Sequence, residues 1–171
     1  FRLDPHGGSS RARNLALDHA KGELIAYLDD DNRFDPGWLR AVVWAFTEYR
    51  ESVFLYGARV IDDDDRHRTL TTRSLPVVQF LPWDADGRLR ANRVDQNVIA
   101  HRPSVFRYDD HLERFNEWDL ILQFTDDQAP LELPVVAVYY YSDLADRITT
   151  GPLSERERES YEYVRAKTVR R

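Results

Sequence analysis

Leu24-Ile25-Ala26-Tyr27-Leu28-Asp29-Asp30-Asp31 is the stretch on which the fold turns: a short apolar run behind Gly22, closed by three consecutive carboxylates. Five apolar residues bounded by a turn residue and by charge suit a buried strand of a parallel sheet. In open α/β sheets ligands gather at the carboxyl ends of such strands, where Asp29, Asp30 and Asp31 fall. Adjacent carboxylates repel one another and resist desolvation unless a cation or solvent compensates them. Mg²⁺ or Mn²⁺ suits that role, because each takes one or two carboxylates and fills its shell with water and phosphate oxygens. Upstream, Gly7-Gly8-Ser9-Ser10-Arg11-Ala12-Arg13-Asn14 adds guanidinium groups fit for a diphosphate. The two stretches together predict a metal-diphosphate site. A contrast lies within the chain: Asp62-Asp63-Asp64-Asp65 leads into Arg66-His67-Arg68, the pattern of a solvated hairpin connection.

Outward from this stretch, helical and β-type patterns alternate. Ser9 or Ser10 is expected to cap a helix over 11–21, with Ala12, Leu15, Ala16 and Ala20 as its apolar stripe and Gly22 as its stop. Asp35 with Pro36 opens a second helix that places Trp38, Leu39, Val42, Val43, Phe46 and Tyr49 on the sheet. Residues 53–61 read as a strand, 69–81 as a hairpin, 97–101 as a short strand and 115–124 as a third helix. Pro134 opens a β-type run through Tyr141. Ser154 and Glu157 form a capping box for a charged helix with Tyr161 and Val164 on one side. The order predicts a layered α/β fold with part of its sheet parallel, over 1–152, followed by a charged helix over 153–171.

With 171 residues, 42% of them hydrophobic, the chain is long enough to bury a core as one domain. Its net charge of -6 argues against a sequence-independent nucleic-acid binder, which needs a basic face. Of 24 basic residues only Lys21 and Lys167 are lysine. The absence of cysteine rules out disulfides and thiolate metal sites. No apolar stretch approaches the roughly 20 residues that span a bilayer. The expectation is a soluble piece of cytoplasmic location, in solution or at the cytoplasmic face of a membrane. Because it starts at Phe1 and lacks methionine, it is expected to be a fragment, a processed product or an excised domain.

Taken together, four segments resemble family 2 glycosyltransferases of the GT-A fold. They are Ala12-Arg13-Asn14, Ala20-Lys21-Gly22-Glu23, Asp29-Asp30-Asp31 and Pro36-Gly37-Trp38-Leu39. Their order and spacing match the family's Ala-Arg-Asn, Ala-x-Gly-Glu, Asp-x-Asp and Pro-x-x-Leu segments. Downstream, Asn116-Glu117-Trp118-Asp119-Leu120 is similar to its Glu-Asp-Trp-Asp-Leu segment. The resemblance covers roughly residues 7–150. It implies a GT-A-like (Rossmann-like) mixed sheet flanked by helices. It also implies an inverting, metal-dependent transfer from a nucleotide-sugar donor to a hydroxyl of a glycan, lipid or small acceptor.

By that likeness Asp29 and Asp31 are the acids of Asp-x-Asp, Asp31 contacting Mn²⁺ or Mg²⁺ and Asp29 lying near the metal or the ribose. Asp30 is the variable middle residue on the donor side. Arg13 faces the nucleotide, with Arg11 a weaker copy of it, and Glu117 is the base that deprotonates the acceptor. Where many relatives supply a histidine ligand after the late strand, this chain has Asp143 as a substitute oxygen ligand. His101 lies where acceptor-side residues cluster in relatives, but a lone histidine is more often a surface residue or one satisfied within the fold. Two further departures are Asn116 in place of the leading acid and Glu117 in place of aspartate. The family's leading strand-helix-strand unit, with its Asp-Asp-Gly-Ser-x-Asp segment, is not found within residues 1–171. The chain is therefore expected to be N-terminally truncated and weakly active or inactive alone.

Two other classes compete with this reading. A binding remnant of the same fold would keep the nucleotide-sugar or carbohydrate pocket without turnover. A phosphohydrolase of the haloacid-dehalogenase type uses Asp-x-Asp after a strand, but wants Thr or Val where Arg33 stands. Nucleotidyltransferases share a related architecture, against which the Asn116–Leu120 segment favours sugar transfer.

Overall fold

The computed structural model of the chain describes residues 7–62, 77–141 and 153–169. In chain order these form α1 (Gly8–His19), β1 (Ile25–Ala26), β2 (Arg33–Phe34), α2 (Trp38–Glu48), β3 (Phe54–Asp62) and β4 (Val77–Gln79). They continue with β5 (Ile99–His101), α3 (Asn116–Phe124), β6 (Leu131–Tyr141) and α4 (Glu155–Val169). Short 3₁₀ turns occupy Gly87–Leu89 and Gln96–Val98.

One mixed sheet runs β1-β5-β3-β6-β2, with β4 paired to β3 beside this path. The long strand β3 organises it. One edge of β3 is antiparallel to β5 over Phe54–Tyr56 and to β4 over Arg59–Ile61, while the other runs parallel to β6. Residues 63–76, which hold most of the second acidic run and the expected hairpin turn, lie outside the described residues. Along β3 side chains alternate between faces. Gly57 abuts Trp38 of α2, and Phe54, on the opposite face by that period, stacks on Phe124 of α3 at 5.2 Å. Helices therefore cover both faces. Trp38, Val42, Ala45 and Phe46 bury α2 against the sheet.

Several expectations need correction. The apolar run at 24–28 is not a central parallel strand: only Ile25 and Ala26 pair, and they pair antiparallel with β5. Further along, the Asp29 amide donates to the Asn97 side chain (2.6 Å), so a side chain captures the run before a ladder can extend. The parallel pairing belongs to β3 and β6. Strand β6 opens at Leu131 and contains Pro134. From Tyr56↔Glu132 to Ala58↔Val136, two steps of β3 face four of β6. Pro134, with no N–H to give a ladder, sits in that bulge.

Helix α1 starts earlier than expected, at Gly8 (φ 81°), with no side-chain cap from Gly7. Ser10 is inside the helix, its hydroxyl accepting from Asn116 Nδ2 (2.7 Å), so it is used in a tertiary contact and not as a cap. The helix stops at Ala20, whose amide bonds back to Leu17, two residues ahead of Gly22. Its inner stripe is Ser10, Arg13, Asn14 and Leu17, while Ala12, Ala16 and Ala20 are exposed. In α2, Leu39 and Val43 are likewise exposed, as is Tyr49 just past its end, and the helix opens at Trp38. Asp35 serves the preceding turn, accepting from the Gly37 amide at 2.8 Å.

The capping box at Ser154 and Glu157 forms as expected, with bonds of 3.2 and 2.7 Å. Helix α4 then packs on α3 through an apolar cluster of Leu112, Trp118, Leu122 and Val164. Beside that cluster, Lys167 donates to Asp109 (2.8 Å) and to the buried Asp119 (2.9 Å). No helix among the described residues is long and apolar enough to cross a membrane.

Candidate active site

Asp29 lies just past β1, where a turn closed by Asn32 N–H to Asp29 O (3.1 Å) carries Asp30 and Asp31. Its carboxylate is held from two elements: Arg13 of α1 donates to Oδ1 (3.2 Å) and Asn97 to Oδ2 (2.9 Å). Asn97 is fixed in turn, its amide and side-chain nitrogens both bonding Asp95 Oδ1 at 2.9 Å. The other Asp95 oxygen accepts from Arg59 of β3 at 2.7 Å. A continuous polar network thus runs Arg59, Asp95, Asn97, Asp29, Arg13. Charge-assisted bonds of this kind are the stronger ones, and each member is satisfied by the next.

Arg13 is held in place by more than its ion pair. Its guanidinium lies 5.5 Å from the centre of the Tyr108 ring. Turned to satisfy both of its ends, the Gln96 amide accepts from Arg13 at 3.1 and 3.2 Å and donates to the Tyr108 hydroxyl at 3.0 Å. Asn14, the next residue, clamps the backbone of Tyr108 with two bonds, donating to its carbonyl (2.8 Å) and accepting from its amide (2.9 Å). That clamp explains why α1 turns a polar face inward.

Glu117 enters from the first turn of α3. Its amide donates to Asn116 Oδ1 (2.8 Å), and Asn92 Nδ2 donates to its Oε1 (2.9 Å). Just before the helix, Phe115 holds a left-handed φ of 66°, strained for a non-glycine residue. Burial raises the Glu117 carboxyl above its usual range, and the charge of Asp95 adds to the rise. The charge of Arg13 and the Asn92 bond oppose it. Glu117 therefore shares an electrostatic neighbourhood with the Asp29 network.

The remaining sequence candidates fall as follows. Asp30 is exposed, Asp31 is partly buried, and Arg11 is exposed beside the inner stripe of α1. Asp143 lies outside the described residues. His101 is a satisfied core residue, its Nε2 2.8 Å from the Tyr27 hydroxyl and its Nδ1 2.7 Å from the Arg102 carbonyl. Among the described residues, the group of three metal-capable side chains with ligand atoms within 4.8 Å is Asp109, Asp110 and His111. Lys167 already neutralises Asp109 there.

Sequence reasoning missed Asn92, Asp95, Gln96, Asn97 and Tyr108. A signal was present: Asn92-Arg93-Val94-Asp95-Gln96-Asn97 is a polar run directly ahead of an apolar strand, where buried amides need a reason.

The sequence pattern of glycosyl transferase family 2 matches residues 1–111. The chain belongs to that family. The uncharacterized glycosyltransferase YwdF of Bacillus subtilis (strain 168) is 22% identical over 151 residues, covering 85% of this chain and 55% of its own. The structure of S. aureus TarS 1-349 in complex with UDP-GlcNAc superposes with a TM-score of 0.64 at 14% identity, over 99% of this chain and 49% of that one. The same protein in complex with UDP gives 0.55 at 12% identity, over 95% and 45%. The chain spans about half the length of the relatives it matches. At these identities the likeness carries the fold, the mixed α/β GT-A arrangement.

Proposed function

We propose that this chain carries the catalytic centre of an inverting glycosyltransferase that moves a sugar from a nucleotide-sugar donor to a hydroxyl of a glycan, lipid or small acceptor. The observation that supports it most directly is the Asp29–Arg13 pair, whose guanidinium also acts electrostatically on the partly buried Glu117. UDP-sugars are the donor class to test first, since TarS was solved with UDP-GlcNAc and UDP.

In this scheme Glu117 removes the proton from the acceptor hydroxyl as its oxygen attacks the anomeric carbon. The bond to the nucleoside diphosphate breaks on the opposite face, the electron pair leaving with the diphosphate and the proton staying on Glu117. Single displacement from that side inverts the anomeric centre. Arg13, whose planar fork now engages Asp29 and Gln96, meets the donor's pyrophosphate. Asp29, steadied by Asn97, is left to orient a ribose hydroxyl or a cation.

The donor set fits Mn²⁺ or Mg²⁺ in kind, because Asp29 and Asp31 offer hard carboxylate oxygens on one turn. By the family likeness Asp31 is the principal ligand, with Asp29, whose oxygens also accept from Arg13 and Asn97, beside it and Asp143 as the further candidate. When bound, such a cation supplies charge neutralisation to the departing diphosphate. Replacing Glu117 with Gln in the intact protein is expected to abolish transfer, at least a hundredfold, while UDP-sugar affinity by calorimetry stays within about threefold. Undiminished transfer by that variant would overturn the reading, and its absence from the parent protein as well would favour a binding remnant.

A further inference from the structure

We propose that Asn92 is a positioning residue for Glu117, its amide fixing one carboxylate oxygen so that the other is presented to the acceptor hydroxyl. This rests on the glycosyl-transfer reading above.

The geometry is direct. Asn92 Nδ2 lies 2.9 Å from Glu117 Oε1, and no other side chain among the described residues donates to this carboxylate. That bond, with the Glu117 backbone amide beside it, limits how the group can turn. Asn92 reaches it from a loop with little regular structure, so something else must hold that loop still. Three bonds from α3 and α4 do so. Trp118 Nε1 donates to the Arg88 carbonyl (2.7 Å), the Tyr161 hydroxyl donates to the Arg90 carbonyl (3.0 Å), and Arg88 Nη1 reaches Thr125 Oγ1 (2.8 Å). Two of these anchors, Trp118 and Thr125, sit on or at the end of the helix that carries Glu117. The loop and the carboxylate are thereby referenced to one rigid element, the arrangement that precise placement of a reacting group requires. From the other side Asn116 Oδ1 fixes the Glu117 amide, and the left-handed Phe115 sets the helix entry.

Each group facing Glu117 has a defined effect on it. Burial, the largest influence, and Asp95 favour the acid; the Glu117 backbone amide, Arg13 of α1 and the Asn92 amide favour the anion. The buried Tyr108 also interacts with the Glu117 charge. Removing the Asn92 donor leaves the acid-favouring influences less opposed, so the carboxyl must titrate higher.

The test follows the Glu117 carboxyl by carbon NMR in the intact protein, alongside transfer kinetics. Asn92→Ala is expected to raise its midpoint measurably. The acid limb of kcat should move by the same amount, with KM for the donor unchanged. Asn92→Asp keeps the volume and replaces the donor by a second carboxylate, and is expected to raise the midpoint further. A merely structural role would lower the melting temperature and leave the midpoint where it was. An unmoved midpoint in Asn92→Asp, or in a folded Asn92→Ala, overturns the proposal. Retained transfer in Glu117→Gln would remove instead the reading on which it rests.

Discussion

Two contacts settle the protonation of His101. The Arg102 carbonyl can only accept, so Nδ1 carries the proton, and Nε2 accepts from the Tyr27 hydroxyl. A second proton would have to reverse the Tyr27 hydroxyl and place a charge inside the core, against Phe124 at 4.4 Å. Burial accordingly lowers the His101 pKa to about 4 from an ordinary 6.5, with Arg107 adding to the fall and the Arg102 bond opposing it. Between those two values the unfolded chain takes up a proton that the folded one refuses. His101 therefore contributes stability above about pH 6.5 that is lost as pH falls toward 4, on the order of 3 kcal/mol over the whole window. Urea midpoints taken across pH 4–7 should fall on the acid side, and His101→Gln should flatten that slope. An unchanged slope in the variant would contradict the assignment. In the sequence, where His101 stands ahead of Arg102-Pro103, a histidine satisfied within the fold was one reading and its depth was not visible.

At the scale of elements, β3 and β6 depend on one close approach. A Cβ on Gly57 would meet Trp38 Cζ3 at 2.8 Å and the Val135 carbonyl at 2.9 Å. Trp38 is fully buried, and Val135 belongs to the bulge beside Pro134, so neither has room to yield. Gly57→Ala is expected to cost about 1–3 kcal/mol, read as a drop in the denaturation midpoint with an unchanged slope. An effect under about 0.5 kcal/mol would mean that the bulge shifts freely.

The strands and helices most visible in the sequence were those whose apolar residues all face a core. Residues 53–61 and 115–124 appear within a residue of β3 and α3. Boundaries set by side-chain bonding to distant segments were not visible. The run at 24–28 ends as a ladder because Asn97, far along the chain, takes the Asp29 amide. The candidate site divides in the same way. Asp29, Arg13 and Glu117 were legible because their segments have a recognisable spacing. Asn92, Asn97 and Gln96 were not, because an amide becomes informative only when its partner is known.

Across the whole molecule, α1 and α4 are attached by different physics. Helix α4 docks through buried apolar side chains, Val164 fully covered, and through a carboxylate at Asp119 that solvent barely reaches. Helix α1 brings little apolar surface of its own beyond Leu17. Its attachments are polar: Arg13 to Asp29, Asp18 to Arg107 (2.8 Å), Asn14 to Tyr108, and Ser10 to Asn116. The Asp18–Arg107 pair is exposed and the Arg13–Asp29 pair half-buried, so dissolved salt weakens the first most and reaches the second in part. Ionic strength should therefore act on this one helix as a selective loosening agent. Amide deuterium uptake across α1 is expected to quicken several-fold between low salt and about 1 M NaCl, while β3 keeps its protection. Equal acceleration of both would mean that α1 opens only with global unfolding. If it lifts separately, Arg13 leaves Asp29 with it, and the brininess of the medium regulates how often that pair is assembled.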